Sequence, residues 1–287
     1  MLRRFFKRID ILLCCLLCVA DFVMLYLFRT VPRINTVDQF RSSVFSAILI
    51  VIYAGVYSWI LGKDMYFGLR GFMKGLFSYG WPVIMFMLIQ FLLGYIININ
   101  AGIPFAAPNS RGLLSALLYR LSWNGREEVV YRGLIFTSLF INRGEDDKAA
   151  LKAGIYSALM FGVMHIANAI VSGDVAAQIM NAISAACIGF LFAAIIYRSK
   201  NLWAVIILHA GYNFMSAEVL NFIFSSANAL PNFAKGSHGV MAVIYSIMLF
   251  IANITYVFAA LRLYFDMPLW ALLMRAANRL PSRDTES

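Results

Sequence analysis

Long apolar runs, separated by short clusters of charge, glycine or proline, set the pattern of this chain. Stretches near 9–28, 43–61, 77–97, 150–171, 175–197, 202–222 and 239–261 are each about as long as a bilayer-crossing helix, roughly 20 residues. An eighth run, 112–141, holds two apolar segments separated by Asn124-Gly125. Helix is the expected form, because a backbone open to lipid must satisfy its own hydrogen bonds. The pattern predicts an all-α, multi-pass membrane protein of about eight transmembrane helices, organised as a single membrane domain over 1–287. No internal repeat, low-complexity tract or soluble insertion interrupts it, and the most polar interruption, Asn142 to Lys148, is a short connecting loop. Within 266–287, Trp270, Leu272, Leu273 and Leu280 mix with Arg275, Asn278 and Arg279 after Pro268. That composition suits a helix on the cytoplasmic surface, followed by a tail. Gly71 and Gly75 form a GxxxG match, but Arg70 and Lys74 place it in a basic connector, where it is expected to carry no packing role.

Composition strengthens this frame. With 62% hydrophobic residues, 13% charged residues and a mean hydropathy of +0.77, the chain lies far from the soluble globular range. Placing both termini in the cytoplasm puts sixteen of the 24 Lys and Arg residues on that side and five on the other, with Arg120, Arg126 and Arg132 inside the fourth run. Such a bias predicts cytoplasmic N and C termini, and the expected location is the plasma (inner) membrane. It also accounts for the net charge of +10 without nucleic acid, since the basic residues sit beside spans and form no single stripe. Cys14, Cys15, Cys18 and Cys187 all fall in apolar runs, where free cysteine behaves as a small hydrophobe. No disulfide framework or zinc ribbon is implied. The first run lacks a small-x-small cleavage site and reads as a retained span.

Three constellations carry candidate chemistry. In NGREEVVYRGLIF, Glu127, Glu128 and Arg132 place three charges within six residues of a mostly hydrocarbon run. Each costs about 2.5–3.5 kcal/mol at a helix centre, so together they imply an internal polar site. On a helix Glu128 can pair with Arg132 while Glu127 points elsewhere, although an isolated buried pair can equally be a packing device. In SALMFGVMHIAN, His165 follows Phe161 by one turn, with Asn168 on a nearby face. By itself a lone histidine in a helix bundle is more often hydrogen-bonded structure than chemistry. In LWAVIILHAGYNF, His209 and Asn213 share one helix face, as two oxyanion donors or as an interhelical hydrogen-bonded pair. At 1.5 Å per residue, Glu127, His165, His209 and Asn213 lie roughly 12–22 Å from the expected cytoplasmic span ends. His238, in an outer connector, is given no role. Asp21 and Glu218 are either substrate contacts or buried structural partners.

Glu127-Glu128-x-x-x-Arg132, Phe161-x-x-x-His165 and His209-x-x-x-Asn213, in that order, resemble the three motifs of the CPBP family of intramembrane endopeptidases. That family includes the CAAX prenyl endopeptidases and the bacterial Abi proteins. The resemblance covers about residues 120–215, within an expected catalytic core at 111–222, and leaves 1–110 as accessory transmembrane helices. Tyr131 stands where the family commonly has phenylalanine. The resemblance implies a glutamate protease with no metal and no cofactor, acting on a membrane-associated peptide or protein in the lipid bilayer. In that reading Glu127 is general base on a water, His165 holds and polarises the water, His209 and Asn213 stabilise the oxyanion, and Glu128 with Arg132 braces the site.

Three alternatives stand beside it. Two histidines and a glutamate could ligate zinc and leave a position for water, although HExxH spacing is absent. An ion or proton transporter would use the same groups as a relay, but the chain lacks inverted repeats and clusters its carboxylates in one place. A non-catalytic peptide-binding or immunity protein need not keep Glu127, both histidines and Asn213 together.

Overall fold

The structure, a computed structural model, describes residues 12, 14–21, 23, 39–61, 66–106, 110–166, 175–225 and 239–266. Half of the expected first span, Asn168, His238 and the surface helix expected after 266 lie outside the described residues. The described residues are mostly helical: 14–21 (α1), Gln39–Leu61 (α2), Trp81–Asn100 (α3), Ser110–Glu128 (α4), Thr137–Asn142 (α5), Asp147–Ile166 (α6), Val175–Ser199 (α7), Leu202–Asn213 (α8), Val219–Ile223 (α9) and Gly239–Phe265 (α10). π-Helical turns occupy Lys74–Tyr79, Val129–Phe136 and Phe214–Glu218. Among the described residues the one β-type pairing is an isolated bridge between Phe105 and Phe224.

Five of these helices, α2, α3, α6, α7 and α10, are long and apolar enough to cross a membrane. They carry the fold class expected from the hydropathy pattern. The runs expected as fourth and seventh spans take another form. Residues 110–142 continue as helix through Asn124 and Gly125 and loosen only at Val129–Phe136; 202–223 loosen at Phe214–Glu218. Asn124 does not break α4 because its side chain is buried and donates to the His209 carbonyl (3.0 Å).

A widened turn leaves carbonyls without their usual helical donors, and side chains supply replacements here. Ser157 Oγ of α6 donates to the Tyr131 carbonyl at 2.6 Å, and Thr137 Oγ1 to that of Arg132 at 2.9 Å. Both hydroxyls are buried, so these bonds satisfy polar groups that lipid cannot.

Helix α7 is the centre of the bundle. From Leu191 to Ile196 each residue is fully buried. It packs on α6 through a small-residue face, Ala149, Ala150, Ala153, Gly154, Ser157, Ala158 and Gly162, the composition that lets membrane helices approach closely. A Cβ at Gly162 would stand 2.8 Å from the Ala182 carbonyl oxygen.

The corner between α7 and α8 is clamped by the connector before α3. Asn201 Oδ1 caps α8 by accepting from the Ala204 amide (2.8 Å), while its Nδ2 donates to the Gly68 and Arg70 carbonyls. Trp203 Nε1 donates to the Phe67 carbonyl at 2.9 Å. Gly71 sits at φ +78° with its Cβ position 2.0 Å from the Ser199 carbonyl oxygen, and a Cβ on Gly75 would meet that of Ala204 at 2.8 Å. The Gly71/Gly75 spacing, expected to carry no packing role, is therefore a close-approach surface. Its basic neighbours obscured that role in the sequence. The clamp fixes the start of α8, and hence the height of His209.

Candidate active site

Glu127 and Glu128 end α4 immediately before the π-helical turn. Widened turns of this kind recur at functional sites because they rotate the following side chains out of regular register. Here the turn carries Tyr131 and Arg132 into the interior, both buried.

The two glutamates differ sharply. Glu128 is fully buried and accepts from Arg132 Nη1 at 3.2 Å, as the i, i+4 spacing predicts. It also lies 2.6 Å from His209 Nδ1, a contact across 81 positions that the spacing does not announce. An ionised carboxylate can only accept, so Nδ1 is the protonated nitrogen and donates to it. Glu127 keeps 17% of its side chain exposed and has looser neighbours, Arg126 Nη2 at 3.7 Å and His209 Nε2 at 3.9 Å.

Arg132 is fully buried in an aromatic cage. Its guanidinium carbon lies 4.3 Å from the Phe161 ring centre and 5.6 Å from that of Phe192. Gly189 makes room for it, since a Cβ there would stand 2.5 Å from Arg132 Nη2. Phe161 also meets both imidazoles edge-on, at 4.6 Å from His165 and 5.9 Å from His209. Tyr131 stacks its edge on the same ring at 5.0 Å. Phe161 is thus the packing hub of the site.

His165 is half-buried, and its Nδ1 lies 2.8 Å from the Phe161 carbonyl. That carbonyl is an acceptor, so Nδ1 carries the proton and Nε2 is left to face other groups. Glu127 and His209 are near enough to act on this ring electrostatically. Asn213 closes α8 one turn beyond His209, half-buried, at the start of the second widened turn.

The structure brings Glu127, Glu128, Arg132, Tyr131, Phe161, His165 and His209 into one interior cluster. Phe192, Gly189, Asn124 and Arg126 join it without having been singled out in the sequence. Asp21 and Glu218 both have basic partners: Asp21 accepts from Arg126, and Glu218 pairs with Arg120 at 2.6 Å. Among the described residues no three His, Cys, Asp or Glu side chains converge as a metal-binding set.

A helical membrane protein with two adjacent carboxylates and two histidines gathered around one buried arginine defines a class, an integral membrane protein with an internal charged cluster. Residues 110–215 match the family described as Type II CAAX prenyl endopeptidase Rce1-like, which supports the CPBP/CAAX protease family for this chain. That description is of an endopeptidase, and the match spans 106 of the 287 residues. No curated protein and no solved structure matches the chain. Residues 1–109 and 216–287 lie outside the family match.

Proposed function

We propose that the chain is an intramembrane endopeptidase that hydrolyses peptide bonds of membrane-associated proteins or peptides with a glutamate-activated water. The observation that carries this reading is the asymmetry of the two carboxylates. Glu128 is fully buried and engaged by Arg132 and His209, whereas Glu127 is partly exposed and only loosely approached. Hydrolysis needs one carboxylate free to take a proton and a polar surround that does not neutralise it.

In this mechanism Glu127 removes a proton from a water held against His165, and the resulting hydroxide attacks the scissile carbonyl carbon. The carbonyl π electrons move to oxygen, and His209 with Asn213 stabilises that oxyanion. Because His209 Nδ1 is spent on Glu128, donation to the oxyanion falls to Nε2, which requires the imidazolium form. Glu128 is the counter-charge that stabilises it, and Arg132 holds Glu128 in place. Collapse breaks the C–N bond, and Glu127 returns its proton to the leaving amine. No metal enters these steps.

The positive-inside bias supports eight spans with both termini cytoplasmic, and the reading places the chain in the plasma membrane with 111–222 as the catalytic core. The test compares cells expressing wild type or Glu127→Gln at matched abundance, by mass spectrometry of peptide termini in membranes and medium. New termini produced by the wild type alone are expected, and they would identify the substrate; identical termini in both would overturn the proteolytic reading.

A further inference from the structure

Arg126 is fully buried beside the proposed base, and its charge is compensated from outside the family-matched segment. Its Nη1 donates to Asp21 Oδ1 on α1. Its Nη2 and Nε are buried without a hydrogen bond among the described residues, yet Nη2 lies only 3.7 Å from Glu127 Oε1. The Trp123 ring supports the guanidinium at 5.0 Å. Asp21 is itself buried and fixed from a second side, since Tyr53 of α2 donates to Oδ1 at 3.2 Å.

A buried guanidinium with an unspent N–H, next to a carboxylate, closes onto that carboxylate unless something restrains it, because an unmade bond to a buried charged group is costly. We propose that Asp21 is a positioning residue: by holding Arg126, it keeps the guanidinium from capturing Glu127, so that the glutamate stays available for chemistry. The N-terminal helices α1 and α2 then complete the catalytic centre, with Asp21 acting through Arg126 and Tyr53 acting through Asp21. This inference rests on Glu127 being the proposed base.

The full-length protein in liposomes is treated with a hydrophobic carbodiimide, which modifies carboxyl groups not held in an ion pair, and Glu127 modification is read by peptide mass spectrometry. This readout needs no substrate. Asp21→Asn is expected to lower Glu127 modification by about tenfold, the scale of one charge-assisted hydrogen bond. Adding Arg126→Gln to Asp21→Asn removes the capturing group and is expected to restore modification, with turnover of the substrate recovering in parallel as kcat at unchanged KM. A tether between helices predicts the opposite, with single and double variants equally impaired. Unchanged modification in Asp21→Asn, or no recovery in the double variant, would overturn the proposal. If Asp21→Asn fails to accumulate, Tyr53→Phe takes its place; it loosens Asp21 gently, and an unaltered modification rate would count against the proposal. Modification that follows the expected pattern in a protein that cleaves nothing would preserve the positioning role and reject the protease reading. Turnover that depends on Glu127 but ignores Asp21 would do the reverse.

Discussion

Removing Arg132 should cost more than removing Arg132 together with Glu128. The guanidinium is fully buried, enclosed by the rings of Phe161 and Phe192, and bonded to a carboxylate that is also fully buried. Arg132→Met keeps apolar volume and aromatic contact but leaves Glu128 with His209 as its one hydrogen-bonding partner, while Oε2 already lacks one. Breaking such a pair from one side costs about 3–5 kcal/mol. At 1.4 kcal/mol per decade, that is roughly a two- to four-decade fall in the folded-to-unfolded ratio. The double variant Arg132→Met, Glu128→Gln removes both charges and keeps an acceptor for His209 Nδ1. Its stability should return to within about 1 kcal/mol of wild type, because neutral replacements of buried pairs are often near neutral. The double variant is then about 2–4 kcal/mol more stable than Arg132→Met, and the coupling exceeds that by the loss that Glu128→Gln causes alone. Reversible unfolding of the full-length protein in bicelles, run as a double-mutant cycle, measures it. The double variant should regain stability and stay inactive, since glutamine cannot hold an imidazolium. Additive losses in the two single variants would refute the claim that Arg132 works through Glu128.

His209→Ala and Asn213→Ala should each lower turnover by about 100-fold or more while the protein still accumulates, as loss of an oxyanion donor does; wild-type rates would remove them from the site. Gly189→Ala would push a methyl to 2.5 Å from Arg132 Nη2 and 3.2 Å from Phe161 Cδ1. It should destabilise by about 1–3 kcal/mol, whereas Gly55→Ala, with nothing within 4 Å of its Cβ position, should be tolerated in the same unfolding assay. Glu218→Gln breaks a pair in which both side chains keep about a fifth of their surface, so stability should change by less than about 1 kcal/mol and turnover should not change. A large loss of turnover there would return Glu218 to the substrate-contact reading.

Helices and motif residues were readable because each leaves a local trace. Apolar length identifies helices, and the cost of three charges in a hydrocarbon run marks Glu127, Glu128 and Arg132. Contacts between distant positions leave no such trace. The bond of His209 to Glu128 joins residues 81 apart, and that of Arg126 to Asp21 joins residues 105 apart. Gly189 and Phe192 were invisible for another reason. They lie in 188–196, a stretch of α7 buried on every side, where the apolar pattern has no face to report. The widened turns were hidden too, since Val129–Phe136 reads as ordinary apolar helix until Ser157 and Thr137 are seen serving its carbonyls.

The charges of the site fall into an order that neither spacing nor composition states. Asp21 is matched by Arg126, and Glu128 by Arg132. With each buried guanidinium directed to a carboxylate, the field that either projects onto Glu127 is that of a nearly neutral pair. Glu127 is therefore the carboxylate of the cluster without a dedicated cation, and it is also the one that solvent reaches. Interchanging the two glutamates would put the unneutralised charge in the dry interior and the paired one at the water, which is costly for burial and useless for proton transfer. Neighbouring helix positions diverge by about 100°, so two adjacent glutamates suffice to place one carboxylate inside and the other toward water. The doubled Glu127-Glu128 is thus the shortest sequence that separates a buried, paired charge from a water-facing one on a single helix.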